Sequence, residues 1–168
     1  MKKYIFLFAF ALSIFASCAP TEEANTTYYL IRHAEKDRTD KTNRDPELND
    51  KGTERAKKWA EYFKDIDLNL VFSTDYKRTM QTAKPTADSK GLDIYSYNPR
   101  VMNSDAFKLA TKGKKVLVVG HSNTTNAFTN LIIDEKKYPQ IDDNNNSNLY
   151  IVTVTKDGAT SELLKIDN

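Results

Sequence analysis

Two stretches decide the fold: Tyr28-Tyr29-Leu30-Ile31-Arg32-His33 and Val116-Leu117-Val118-Val119-Gly120-His121. Each is a short apolar run that ends on a histidine. A run of four to eight apolar residues with flanking polar punctuation reads as a strand buried on both faces. Between and after them the pattern changes period. Ala56, Trp59, Ala60 and Phe63 fall at helical spacing behind Asn49 or Asp50, either of which can cap a helix over about 51–64. Leu70-Val71-Phe72 is another short strand that ends at Ser73. Tyr76, Met80, Ala83 and Ala87 form the next helical stripe, expected to kink or break near Pro85. Residues 93–97 read as a weak strand and 103–111 as a helix. Ser122 or Asn123 can cap a further helix to about Ile133, and Pro139 to Ser147 is a loop. Lys156-Asp157-Gly158-Ala159 between two alternating runs signals a hairpin.

Strands that alternate with helices predict an α/β fold: a three-layer α/β/α sandwich with a mostly parallel central sheet and a C-terminal antiparallel hairpin. Ligands of such sheets bind beyond the carboxyl ends of the strands. That rule brings His33, His121, Arg32, Ser73 and Arg78 to one rim. Arginine forks match phosphate oxygens. A neutral imidazole is a competent nucleophile. The rim therefore suits transfer of a phosphoryl group to histidine and then to water. No Gly-rich phosphate loop is present, which excludes a nucleotide-driven engine of that kind.

The N-terminus has a different composition. Lys2 and Lys3 precede an apolar stretch, Tyr4 to Phe15, that is shorter than the roughly 20 residues a bilayer span needs. Residues 1–17 read as a signal peptide. Phe15-Ala16-Ser17-Cys18 resembles a bacterial lipobox, which implies lipidation of Cys18 and a polar tether over 18–26. The expected location is therefore exported: a membrane-anchored lipoprotein facing the periplasm or the cell surface. The chain carries 25 basic and 23 acidic residues, and Lys2 and Lys3 account for the surplus. A net-neutral body offers no basic footprint for nucleic acid. Cys18 is the single cysteine, so disulfides, thiolate zinc sites and a cysteine nucleophile are excluded from the body. With two histidines, a three-histidine metal centre is excluded as well. No cofactor is expected.

Four blocks resemble the histidine phosphatase superfamily, also called phosphoglycerate mutase-like, in its compact form. Leu30 to Glu35 is similar to its Arg-His-Gly motif. Leu48 to Ala56 is similar to its Leu-Thr-x-x-Gly-x-x-Gln-Ala helix start. Ser73 to Ala83 resembles its second-arginine segment, and Val118 to Asn123 its second-histidine segment. The resemblance implies that His33 is the nucleophile that becomes phosphohistidine. It implies that Arg32, Arg78 and His121 complete the phosphate pocket, His121 as imidazolium, with Ser73 and Asn123 in support. Gly52 is implied to allow a close approach. Ala34 stands where the motif has glycine. The acid for the leaving group is expected at Asp105 first and Glu35 second. The expected function is hydrolysis of phosphomonoesters, phosphoprotein groups or phosphoramidates. The alternative is a non-catalytic lipoprotein of the same fold that binds a phosphorylated ligand.

Overall fold

The computed structural model describes residues 24–167. The expected signal segment 1–17 and Cys18 lie outside the described residues. The elements are β1 (Thr26–Arg32), α1 (Asp50–Tyr62), β2 (Leu70–Ser73), α2 (Lys77–Lys90), β3 (Ile94–Ser96), α3 (Asp105–Thr111), β4 (Lys115–Gly120), α4 (Thr125–Ile133), β5 (Asn148–Thr155) and β6 (Gly158–Lys165). The six strands form one sheet in the order β3-β2-β4-β1-β5-β6. The first four in that order are parallel, and β5 and β6 are antiparallel.

Strand side chains alternate between faces, and the two faces build two cores. Tyr29, Ile31, Val71, Leu117 and Val119 pack with Trp59 and Phe63 of the α1 region and Ala83 and Ala87 of α2. Tyr28, Leu30, Val116 and Val118 face the other way, onto Phe128 of α4 with Phe107 of α3 packed alongside. This is the expected three-layer sandwich. The hairpin turns through Lys156-Asp157, and Gly158 takes the positive φ of 132°.

Three local expectations are corrected. Helix α2 runs unbroken through Pro85. Its first expected core residue, Tyr76, is the extended N-cap and is exposed, so the buried face is Thr79, Thr82, Ala83, Thr86 and Ala87. Threonine hydroxyls can return hydrogen bonds to the helix, as Thr82 does to the Arg78 carbonyl at 2.7 Å. The N-cap of α4 is Thr124 rather than Ser122 or Asn123. The third correction is at the start: Thr26, placed in the tether, is buried in β1, and its hydroxyl accepts from the Gly113 amide.

The cap of α1 is as expected. Asn49 Oδ1 accepts from the Gly52 amide at 2.9 Å. Gly52 lies against the segment that follows β1. A Cβ there would meet the Glu35 carbonyl oxygen at 2.0 Å. Only glycine lets α1 sit this close to the residues next to His33.

Candidate functional site

β1 and β4 are parallel neighbours in register, with Arg32 opposite Gly120. The residues that follow are His33 and His121, so adjacency of the two imidazoles is set by sheet geometry. Their ring centroids are 5.5 Å apart. The His33 amide donates to the Gly120 carbonyl at 2.9 Å. The Asn146 side chain donates to the His33 carbonyl at 2.8 Å. The next amide, Ala34, donates to Thr82 Oγ1. The peptide that carries His33 is thus held by β4, α2 and the 139–147 loop.

His33 Nδ1 lies 2.7 Å from the Ala34 carbonyl. A carbonyl only accepts, so Nδ1 carries the proton and the lone pair is on Nε2. Burial pulls the His33 pKa down to about 3; the Ala34 hydrogen bond opposes this, and the Arg32, His121 and Arg78 charges add to it. The ring is neutral at any ordinary pH.

The tautomer of His121 follows from a relay of hydroxyls. The Thr79 hydroxyl donates to the Thr74 and Tyr76 carbonyls. Thr74 Oγ1 therefore donates to Thr79 Oγ1, and accepts from His121 Nε2 at 2.9 Å. That leaves Nδ1 of His121 open to a proton. Burial, then Arg78 and Arg32, lower its pKa to about 4. On these influences alone the His121 ring is neutral at ordinary pH. An arriving anion would reverse this, because an opposite charge favours the protonated ring.

The arginines differ in how they are fixed. Arg32 is 2% exposed. Its Nη1 donates to the carbonyls of Asp142 (2.8 Å) and Asn145 (3.1 Å), and Nη2 meets Asp143 Oδ1 at 2.7 Å. Arg78 lies over the Tyr76 ring at 4.4 Å and reaches Asp45 at 3.4 Å. Tyr76 also sets its ring edge-on to His121, with centroids 5.0 Å apart. In both arginines Nε is buried without a hydrogen-bond partner. Both charges act on His33. Buried donors without partners are costly and rare. Two such cations acting on a neutral imidazole give the site a positive field that suits an anion.

The expected acids are not brought to this pocket. The Asp105 side chain is fully exposed at the start of α3, 3.7 Å from Lys108. It contributes to none of the charges acting on His33, His121, Arg32 or Arg78. Glu35 turns away into a two-pronged pair with Arg55, both contacts at 2.9 Å. Burial is the largest influence and raises its pKa, but the Arg55 hydrogen bond, a backbone hydrogen bond and the Arg55 and Lys51 charges together bring it below the ordinary value. Ser73 is buried and donates to the Thr74 carbonyl, a backbone role. Asn123 is exposed in the turn after His121. Thr74, Tyr76, Thr82, Asp45, Asp143 and Asn146 were not anticipated. They sit in turns, loops or a helix face, where no period marks them.

Residues 28–105 match the family model for the histidine phosphatase superfamily, branch 1. Over that segment the chain matches the histidine phosphatase superfamily. No curated protein matches the sequence. Solved structures share the superfamily's fold at low identity. The protein histidine phosphatase SixA complexed with tungstate superposes with TM-score 0.69 at 15% identity, covering 83% of this chain and 96% of that one. A putative phosphohistidine phosphatase SixA from Agrobacterium tumefaciens gives 0.62 at 22% identity, over 84% and 99%. A mycobacterial glucosyl-3-phosphoglycerate phosphatase gives 0.61 at 14% identity, over 84% and 98%. The matched region carries Arg32, His33 and Arg78, and His121 follows the downstream β4.

Proposed function

We propose that the chain is a phosphatase that hydrolyses phosphomonoesters, phosphoprotein groups or phosphoramidates through a phosphohistidine on His33. The observation that carries the reading is the pair of arginine charges, Arg32 and Arg78, acting on an imidazole whose Nε2 holds the lone pair. In the first step Nε2 attacks phosphorus and the bond to the leaving oxygen or nitrogen breaks. The Arg32 and Arg78 guanidiniums stabilise the charge on the phosphoryl oxygens, and His121, taking a proton from solvent as the anion arrives, donates to them. Water then attacks the phosphohistidine. The N–P bond breaks, inorganic phosphate leaves, and the neutral ring returns. Charge stabilisation and positioning are what phosphoryl transfer requires most.

One observation favours the second reading, a phosphate-ligand binding protein without turnover: neither expected acid reaches the pocket. The two readings separate on p-nitrophenyl phosphate. Its leaving group departs without a proton, so a catalytic pocket hydrolyses it and traps radiolabelled phosphate on the protein, and His33→Ala abolishes both. Wild-type silence across roughly pH 4 to 8, the span in which a general acid or base titrates, in a folded protein would leave only the binding reading. Export and anchoring through Cys18 belong to the same proposal. Labelling by a fatty-acid analogue in the host, lost in Cys18→Ser, tests them.

A further inference from the structure

A groove of about 510 Å³ adjoins the His33 pocket, and Lys36, Arg38, Lys51, Asp143 and Asn146 are among the residues that line it. Asp143 and Asn146 are the residues that touch Arg32 and His33, so groove and pocket share a wall. The groove's carboxylates are all engaged. Glu35 is held by Arg55 and Lys51, Asp143 by Arg32 and Arg38, and Asp37 by the Thr39 amide. Lys36 is different. Its ammonium is half-buried and, among the described residues, has no acceptor. Every other half-buried lysine or arginine among the described residues has one. Burial, then the Arg78 and Arg38 charges, lower its pKa, so the site itself works against the cation it holds. The Asp143 carboxylate opposes this only in part; a half-buried charge without a direct ion-pair partner is unfavourable, and a ligand anion would relieve it.

We infer that this groove is a second-anion subsite, in which the Lys36 ammonium receives a carboxylate or a second phosphoryl group carried by the phosphorylated ligand. The inference rests on the reading of the His33 pocket as a phosphoryl site, and it names the class of ligand. Lys36 follows His33 by three residues, so their Cα atoms are at most roughly 11 Å apart. That span suits two anionic groups on one small molecule or on adjacent groups of one chain. The groove falls within the ordinary range for small-molecule sites.

Phosphonates keep their carbon–phosphorus bond, so their binding can be measured whether or not the protein turns over. Calorimetric titration of the wild type with methylphosphonate, phosphonoacetate and methylenediphosphonate gives three affinities. At least one of the two doubly anionic ligands is expected to bind about tenfold or more tightly than methylphosphonate, the size of one added ion pair. Phosphonoacetate as the preferred ligand indicates a carboxylate; methylenediphosphonate indicates a second phosphate. Lys36→Met should collapse the ratio towards one, and Lys36→Arg should retain it. Equal wild-type affinities for all three, or a ratio that survives Lys36→Met, would overturn the subsite and leave the phosphoryl pocket standing. Failure of all three to bind would remove the pocket reading and this inference together.

Discussion

Arg78→Ala is the substitution whose cost the structure specifies best. The Arg78 Nε–H is buried and unpartnered, so its desolvation has already been met by folding. A phosphoryl oxygen would complete a charge-assisted hydrogen bond, worth about 1.5–3 kcal/mol. Preorganised donors aimed at a transition state cost about 2.7–4 kcal/mol when removed, roughly 10²–10³ in rate. The bonds lost elsewhere are small: the Asp45 contact is 3.4 Å long and its carboxylate is 43% exposed. The expected result is therefore a fall of roughly 10²–10³ in kcat/KM for p-nitrophenyl phosphate with little change in the unfolding midpoint. Asp105→Ala is the control. Its carboxylate is fully exposed and meets Lys108 at 3.7 Å, so activity should not change. Steady-state kinetics on both variants, with thermal melts alongside, decide the matter. Equal losses in the two variants would refute the reasoning, because a carboxylate outside the pocket would then matter as much as a cation inside it.

Nitrogen NMR of the imidazoles should find His33 neutral down to about pH 4, with protonation near its depressed value of about 3; titration near the ordinary 6.5 would contradict the buried tautomer. Because the unfolded chain takes up those protons first, stability should fall as pH drops from roughly 6.5 towards the depressed values, and urea midpoints of wild type against His33→Asn measure that slope. Gly52→Ala should destabilise by ~1–3 kcal/mol through overpacking, since its Cβ would sit 2.0 Å from the Glu35 carbonyl; an unchanged denaturation midpoint would show that α1 is free to retreat. Asn146→Asp removes the donor to the His33 carbonyl and should lower kcat more than it raises KM, with a matching loss in KM alone arguing that the loop does not orient the nucleophile. Vanadate should inhibit and a chelator should not; the reverse pattern would indicate a metal-dependent hydrolase.

Much of this was legible in the chain, for physical reasons. The continuous apolar runs Tyr28 to Ile31 and Val116 to Val119 announce strands buried on both faces, and their side chains feed the two cores. Both histidines stand where apolar strands stop, and the parallel register makes that placement a distance. Asn49 and Gly52 follow from capping chemistry and a close approach. The unread part is polar and non-local. Asn146 and Asp143 act on His33 and Arg32 across more than a hundred residues, and nothing in an Asn-rich loop announces a partner that far away. The threonine face of α2 was hidden because threonine buried against its own backbone looks polar in a sequence. Asp105 misled for a related reason. It lies nine residues past the end of β3, and the intervening turn carries the chain towards the C-terminal end of α4, where Asn103 donates to the Leu131 carbonyl.

The placement of β1 has a consequence for how the molecule comes to exist. Its hydrogen-bonded neighbours are β4 and β5, Lys115–Gly120 and Asn148–Thr155, and the loop that grips Arg32 and His33 lies between α4 and β5. A growing polypeptide emits His33 well before the strands and loop that hold it. Contacts of such long sequence separation form late, after the loop-closure entropy has been met. The surroundings of Arg32 and His33 are therefore complete only after β5 has been made, and a fragment ending at residue 105 would hold Arg32, His33 and Arg78 without them.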